Sequence, residues 1–148
     1  MSDRKYLPTF AELLDRLSIV QLKQVFIPEH GAEYEKEIDL ILHDLDLILN
    51  ERQEKSSNQP VVNASMIRAI MVLMLTNRYI WENETRARAG SSDQDKLLKL
   101  THSINGVRTT AKNIISREWG ERVDLKVDCL AAELVAEFGN WNIFKKGD

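Results

Sequence analysis

Six polar side chains stand where helical periodicity would continue an apolar stripe: Asn77, Glu84 and Arg88 in one segment, and Asn105, Arg108 and Lys112 in the next. At about 3.6 residues per turn each trio falls on one helix face. Asn77 and Glu84 extend the line of Ile70 and Leu73, and Trp81 lies between them. Buried polar groups need partners, so two arrangements fit these residues. In the first, Glu84 pairs with Arg108 or Arg88 in a closed network that fixes helix register. In the second, Arg108, Lys112 and Arg88 hold a small anion such as a phosphate, a sugar phosphate or a carboxylate, and Glu84 orients a guanidinium. The closed network is the expectation, and under it Glu84→Ala would cost about 3–5 kcal/mol.

A second polar group lies on the acidic segment Glu33 to Asp46. Asp39, His43 and Asp46 fall within about 60 degrees on a helical wheel and could reach a divalent cation. Carboxylates on a solvated helix face are commoner than metal ligands, and the expectation is no bound metal. No nucleophile elbow, phosphate loop, glycine-rich nucleotide fingerprint or paired-cysteine zinc motif occurs in the chain.

The elements that must position these residues read as helices throughout, without an alternating strand pattern or an internal repeat. Thr9 followed by Glu12 is a capping-box pattern ahead of Leu13, Leu14, Leu17 and Val20, which predicts helix one over 9–26, with Pro28 beyond its end. Helix two is expected over 32–52, with Ile38, Leu42, Leu45 and Leu49 on one line and Leu40 and Leu47 on another flank. Residues 51–59 contain no hydrophobic side chain and Pro60 follows them, so 51–60 reads as a polar loop. Helix three is placed at 64–89 between the N-cap Asn63 and the stop Gly90, helix four at 93–118 ahead of Gly120, and helix five at 125–138. Gly106, inside helix four, would permit close helix approach. The expected core includes Ile70, Leu73, Ile80, Ile104, Val107 and Leu134. Trp141 to Phe144 is apolar enough to dock, and 145–148 should fray. The sum is an all-α, single-domain antiparallel bundle of about five helices spanning 1–148.

Composition narrows the function classes. The 148 residues are 43% hydrophobic and 29% charged, enough for one core and few for two. A net charge of -3, from 23 acidic and 20 basic residues without a basic block, disfavours nucleic acid. The single cysteine, Cys129, lies among apolar neighbours and reads as a small buried hydrophobe, which suits a reducing cytoplasm. The first residues lead into Tyr6-Leu7-Pro8 without an apolar run, and the most apolar stretch, 61–75, is interrupted by Asn63, Ser65 and Arg68. Neither a signal peptide nor a membrane span is therefore expected, and the localisation expected is cytoplasmic.

Several short patterns carry a resemblance. Glu12-Leu13-Leu14-Asp15-Arg16-Leu17-Ser18-Ile19, the series Asn77, Ile80, Trp81, Glu84 and Arg88, and Asn105 with Arg108 and Lys112 resemble small uncharacterised all-helical proteins of bacteria and their phages, some of them encoded beside glycosyltransferases. The likeness extends in motif form over most of residues 10–115. It implies a helical fold without implying a reaction. The chain departs from the pattern at Thr85, where a second acidic residue often follows the glutamate, and any catalysis by that acid would be lost here.

Two function classes follow. The favoured one is a helical-bundle interaction or structural protein that self-associates as a homodimer through helices one and two, because Ile19, Leu22 and Phe26 on one and Leu40 and Leu47 on the other form second apolar flanks. The alternative is a magnesium-dependent all-α nucleotide pyrophosphohydrolase, which this chain resembles in size, helicity and acidic character. Those enzymes carry two glutamates three apart, then a glutamate and an aspartate three apart. Here Glu118 with Glu121 and Glu12 with Asp15 have those spacings in the opposite chain order, and Gly120 interrupts the first pair.

Overall fold

The capping box forms as its residue types require. The Thr9 hydroxyl accepts from the Glu12 amide at 3.1 Å while the Glu12 carboxylate accepts from the Thr9 amide at 3.0 Å, and helix α1 runs from there over Phe10–Phe26. The computed structural model describes residues 3–56, 58–90 and 94–124. Pro28–His30 makes one 3-10 turn, and the chain continues as α2 over Gly31–Lys55. Asn63 caps α3, Ala64–Arg88, by accepting from the Met66 amide at 2.9 Å. Beyond it Gly90 takes φ +80°, a left-handed conformation that glycine adopts without steric cost. Helix α4 spans Gln94–Trp119 and is followed by Gly120 at φ +74°.

No strand occurs among the described residues, and no helix among them is long and apolar enough to cross a membrane. The expected fifth helix at 125–138 with Leu134 and Cys129, the docked segment Trp141 to Phe144, the frayed 145–148 and the cap at Ser91 to Asp93 lie outside the described residues.

One boundary needs correction. The polar stretch expected as a loop over 51–60 is helical as far as Lys55, so the connection to α3 begins only at Ser56. Glu51, Arg52, Gln53, Glu54 and Lys55 are all good helix formers. Lys55 pairs with Glu51 one turn earlier at 2.8 Å, and this ammonium holds the Glu51 carboxyl below its ordinary pKa by hydrogen bond and charge. Arg52 places its guanidinium 4.8 Å from the Trp119 ring centroid and donates to the Trp119 carbonyl at 2.7 Å. Local helix propensity and the Glu51–Lys55 pair thus carry the helix one turn past Arg52, where the sequence lacks any apolar residue.

Cross-helix contacts define an up-down-up-down bundle. Helix α3 runs antiparallel to α4, since Asn77 meets Arg108 and Asn63 meets Glu118. Helix α1 is antiparallel to α4, joined by the stacked rings of Phe10 and Trp119, 4.1 Å apart. The α3–α4 pair is the most extensive, α1 packs on both of them, and α2 packs mainly on α1. That central position explains the two apolar lines of α1: Val20 and Leu22 are buried and Leu13, Leu17 and Ile19 half-buried. Of the expected core, Leu73, Ile104 and Val107 are buried, and Ile70 and Ile80 pack against that core half-buried. Gly106 is buried within α4.

Candidate functional site

Asn77 is buried at the meeting of α1, α3 and α4, and its partner is a residue absent from the polar set read in the sequence. Its Nδ2 donates to the Asp15 carboxylate at 2.8 Å and to the Ser18 hydroxyl, which itself donates to the Asp15 carbonyl. The second carboxylate oxygen of Asp15 faces the Lys112 ammonium at 3.4 Å, with 11% of the aspartate side chain and 21% of the lysine side chain exposed. The Asn77 oxygen accepts a long contact, 3.4 Å, from Arg108 Nη1. A closed network therefore exists, centred on Asp15 and not on Glu84. Its signal was present in α1: Ala11, Asp15, Ser18 and Leu22 share one face, a polar interruption of an apolar line like the one that singled out Asn77.

Glu84 and Arg88 lie elsewhere. They face each other at 3.9 Å with 52% and 83% of their side chains exposed, so the expectation of a closed Glu84 network is corrected. The physical reason is position. In the last turns of α3 Asn83 is buried while Glu84 and Arg88, which continue the Ile70–Leu73 line, lie on a face that solvent reaches. Glu84→Ala is accordingly expected to change stability by about 0–1 kcal/mol, as for exposed pairs, and a urea melt checks it.

Five of the seven predicted residues do come together, around a cleft of about 340 Å³ between α1, α3 and α4. Asn77, Trp81, Glu84, Arg88 and Arg108 line it, joined by Lys23 and the apolar Ile19, Leu22, Ile27 and Ile80. Phe26 supports the Trp81 wall, with ring centroids 6.0 Å apart, and is itself covered by the Arg78 guanidinium at 4.4 Å. Lys112 belongs to the neighbouring Asp15 pair. Asn105 is half-buried on α4 and is not drawn into either group. Lys23 could not be found by the polar-in-stripe pattern, because it sits on a helix flank where a lysine is unremarkable.

The charges in the cleft do not balance. Lys23, Arg88 and Arg108 face it against the single carboxylate of Glu84. Among the described residues Arg108 has no carboxylate within ion-pair distance, and its Nε is buried without a hydrogen-bond partner. A buried guanidinium N–H without an acceptor is costly.

A larger cavity, about 430 Å³, opens near the start of α1 between Glu12, Lys112, Asn113 and Arg122. Its polar groups satisfy one another: Arg122 pairs with Glu12 at 3.2 Å, Lys112 with Asp15, and Asn113 exchanges two hydrogen bonds with the Asp124 backbone.

The residues that could hold a metal are not assembled. Asp39, His43 and Asp46 are each exposed on α2, and among the described residues no group of three or more His, Cys, Asp or Glu is placed to bind an ion. The four carboxylates with pyrophosphohydrolase spacing have other partners: Glu12 the Thr9 amide, Asp15 Asn77 and Lys112, Glu118 Asn63, and Glu121 the Phe10 amide. Set against protein-family models, curated proteins and solved structures, the chain matches none.

Proposed function

We propose that the protein binds a small anionic ligand, bearing a phosphate or carboxylate, in the cleft between Trp81 and Arg108. The observation that carries this reading is the uncompensated Arg108: its Nε is buried and unpaired beside Lys23 and Arg88, in a cleft that still opens to solvent. A ligand oxygen supplies the acceptor that the protein does not. Apolar residues and the Trp81 ring then cover the rest of the molecule, a division of labour usual for small-molecule sites.

Isothermal titration with inorganic phosphate tests the proposal. Arg108→Gln removes a charge-assisted hydrogen bond and is expected to weaken phosphate binding roughly tenfold to a hundredfold. Equal affinity in wild type and Arg108→Gln, or no phosphate binding by wild type at millimolar concentration, contradicts it.

Self-association is a second reading, favoured by rows of exposed apolar side chains. Leu40 and Leu47 stand seven residues apart on α2, and Ile67, Met71 and Leu75 follow one another at intervals of four on α3. Of the α1 flank expected to join them, Leu22 is buried and Ile19 half-buried, while Phe26 packs with Trp81 and Arg78 and stays 43% exposed. The dimer this reading supports is built on the exposed rows of α2 and α3. Sedimentation equilibrium should give twice the 17.1 kDa chain mass, and a monomer at tens of micromolar rejects it.

A further inference from the structure

A second cleft, about 410 Å³, lies on the other side of the last turns of α3, against the start of α4. Glu84 and Arg88 line both clefts, so this pair is the ridge between them. Asn83 belongs to the wall of the second cleft, is 2% exposed, and has an Nδ2 without any hydrogen-bond partner. With Arg108 Nε it is one of two buried side-chain donors among the described residues left in this condition, and they flank the same ridge. Polar groups buried without partners are rare in folded proteins because each forfeits its hydration without return.

We propose that the two clefts form one bipartite site whose ligand is an amphiphilic anion. This inference rests on the anion-binding reading of the first cleft and adds the rest of the molecule. The carboxylate or phosphate lies beside Arg108, and across the Glu84–Arg88 ridge an apolar arm carries an amide or ester carbonyl to the Asn83 amide. Chemistry decides for a neutral carbonyl on that side. Glu84 and Asp95 place two carboxylates against the single cation Arg88, which disfavours a second anionic group. Ala87, Leu97 and Leu98 supply the apolar surface for the arm. The ridge itself can part, because its two side chains are solvated and only 3.9 Å contact joins them.

The test compares inorganic phosphate, octanoate and N-octanoylglycine by isothermal titration against wild type and Asn83→Leu, with thermal melts of both proteins. Wild type should bind N-octanoylglycine about five- to tenfold more tightly than octanoate, the worth of one hydrogen bond to a neutral amide. Asn83→Leu should lose that preference, keep its phosphate affinity, and melt at or above the wild-type temperature, because an unpaired buried donor has been replaced by an apolar group of similar shape. A lower melting temperature for Asn83→Leu assigns Asn83 a structural role and overturns the proposal. So does equal wild-type affinity for octanoate and N-octanoylglycine while phosphate still binds, a result that needs no variant and leaves the first cleft intact. Absence of phosphate binding to wild type instead removes the anion-binding reading on which the proposal stands.

Discussion

Asp15→Ala is expected to lower the unfolding free energy by about 3 kcal/mol, the low end of the range for breaking a buried ion pair. The low end applies because Lys112 keeps a fifth of its side-chain surface in water and can recover part of its hydration. Two losses combine. The Lys112 ammonium is left against α1 without its counter-charge, and Asn77 Nδ2 keeps only the Ser18 hydroxyl of its two acceptors. Asp15→Asn separates them, since it retains an acceptor for Asn77 but removes the charge, and should cost less. Urea melts of both variants, in a double-mutant cycle with Lys112→Met, measure the coupling. A loss under 1 kcal/mol for Asp15→Ala would show that the network contributes little to holding α1 on the α3–α4 pair.

Trp119→Ala should cost about 3–5 kcal/mol, the usual effect of truncating a buried aromatic. Trp119 is 5% exposed at the last residue of α4 and joins three helices. Its ring stacks on Phe10 of α1 at 4.1 Å and receives the Arg52 guanidinium of α2. Aromatic stacking and cation–π attraction add to the area removed from water. The hydrogen bond from Arg52 to the Trp119 carbonyl is made by the main chain and survives the substitution. Trp119→Phe retains a stacking ring and should recover more than half of the loss. Guanidinium melts followed by circular dichroism check both, and a near-neutral Trp119→Ala would mean that this end of the bundle collapses to fill the cavity.

Much of the local structure was legible in the residues. Thr9 and Glu12 define the start of α1 by reciprocal side-chain bonds, Asn63 defines the start of α3, and Gly90 and Gly120 sit where left-handed backbone follows a helix. These features depend on residues three or four apart and therefore appear in a one-dimensional pattern. The end of α2 is misread by one turn although its cues are local, good helix formers over 51–55 and the Glu51–Lys55 pair, because the absence of any apolar residue there reads as a loop.

The candidate site divides in the same way. Helical spacing and the expected antiparallel return of α4 grouped seven residues in the sequence, and five of them, Asn77, Trp81, Glu84, Arg88 and Arg108, share one cleft, while Asn105 and Lys112 do not line it. Only the tertiary structure decided which of them is buried and which partner each takes. Asp15 of α1 slots beside Asn77 and Lys112 and closes that part of the network, whereas Glu84 and Arg88, on the ridge between two clefts, keep more than half of their side-chain surface in water. Burial of a charge depends on what covers it from another helix. That covering is a long-range contact, and the helical period of a single segment carries no information about it.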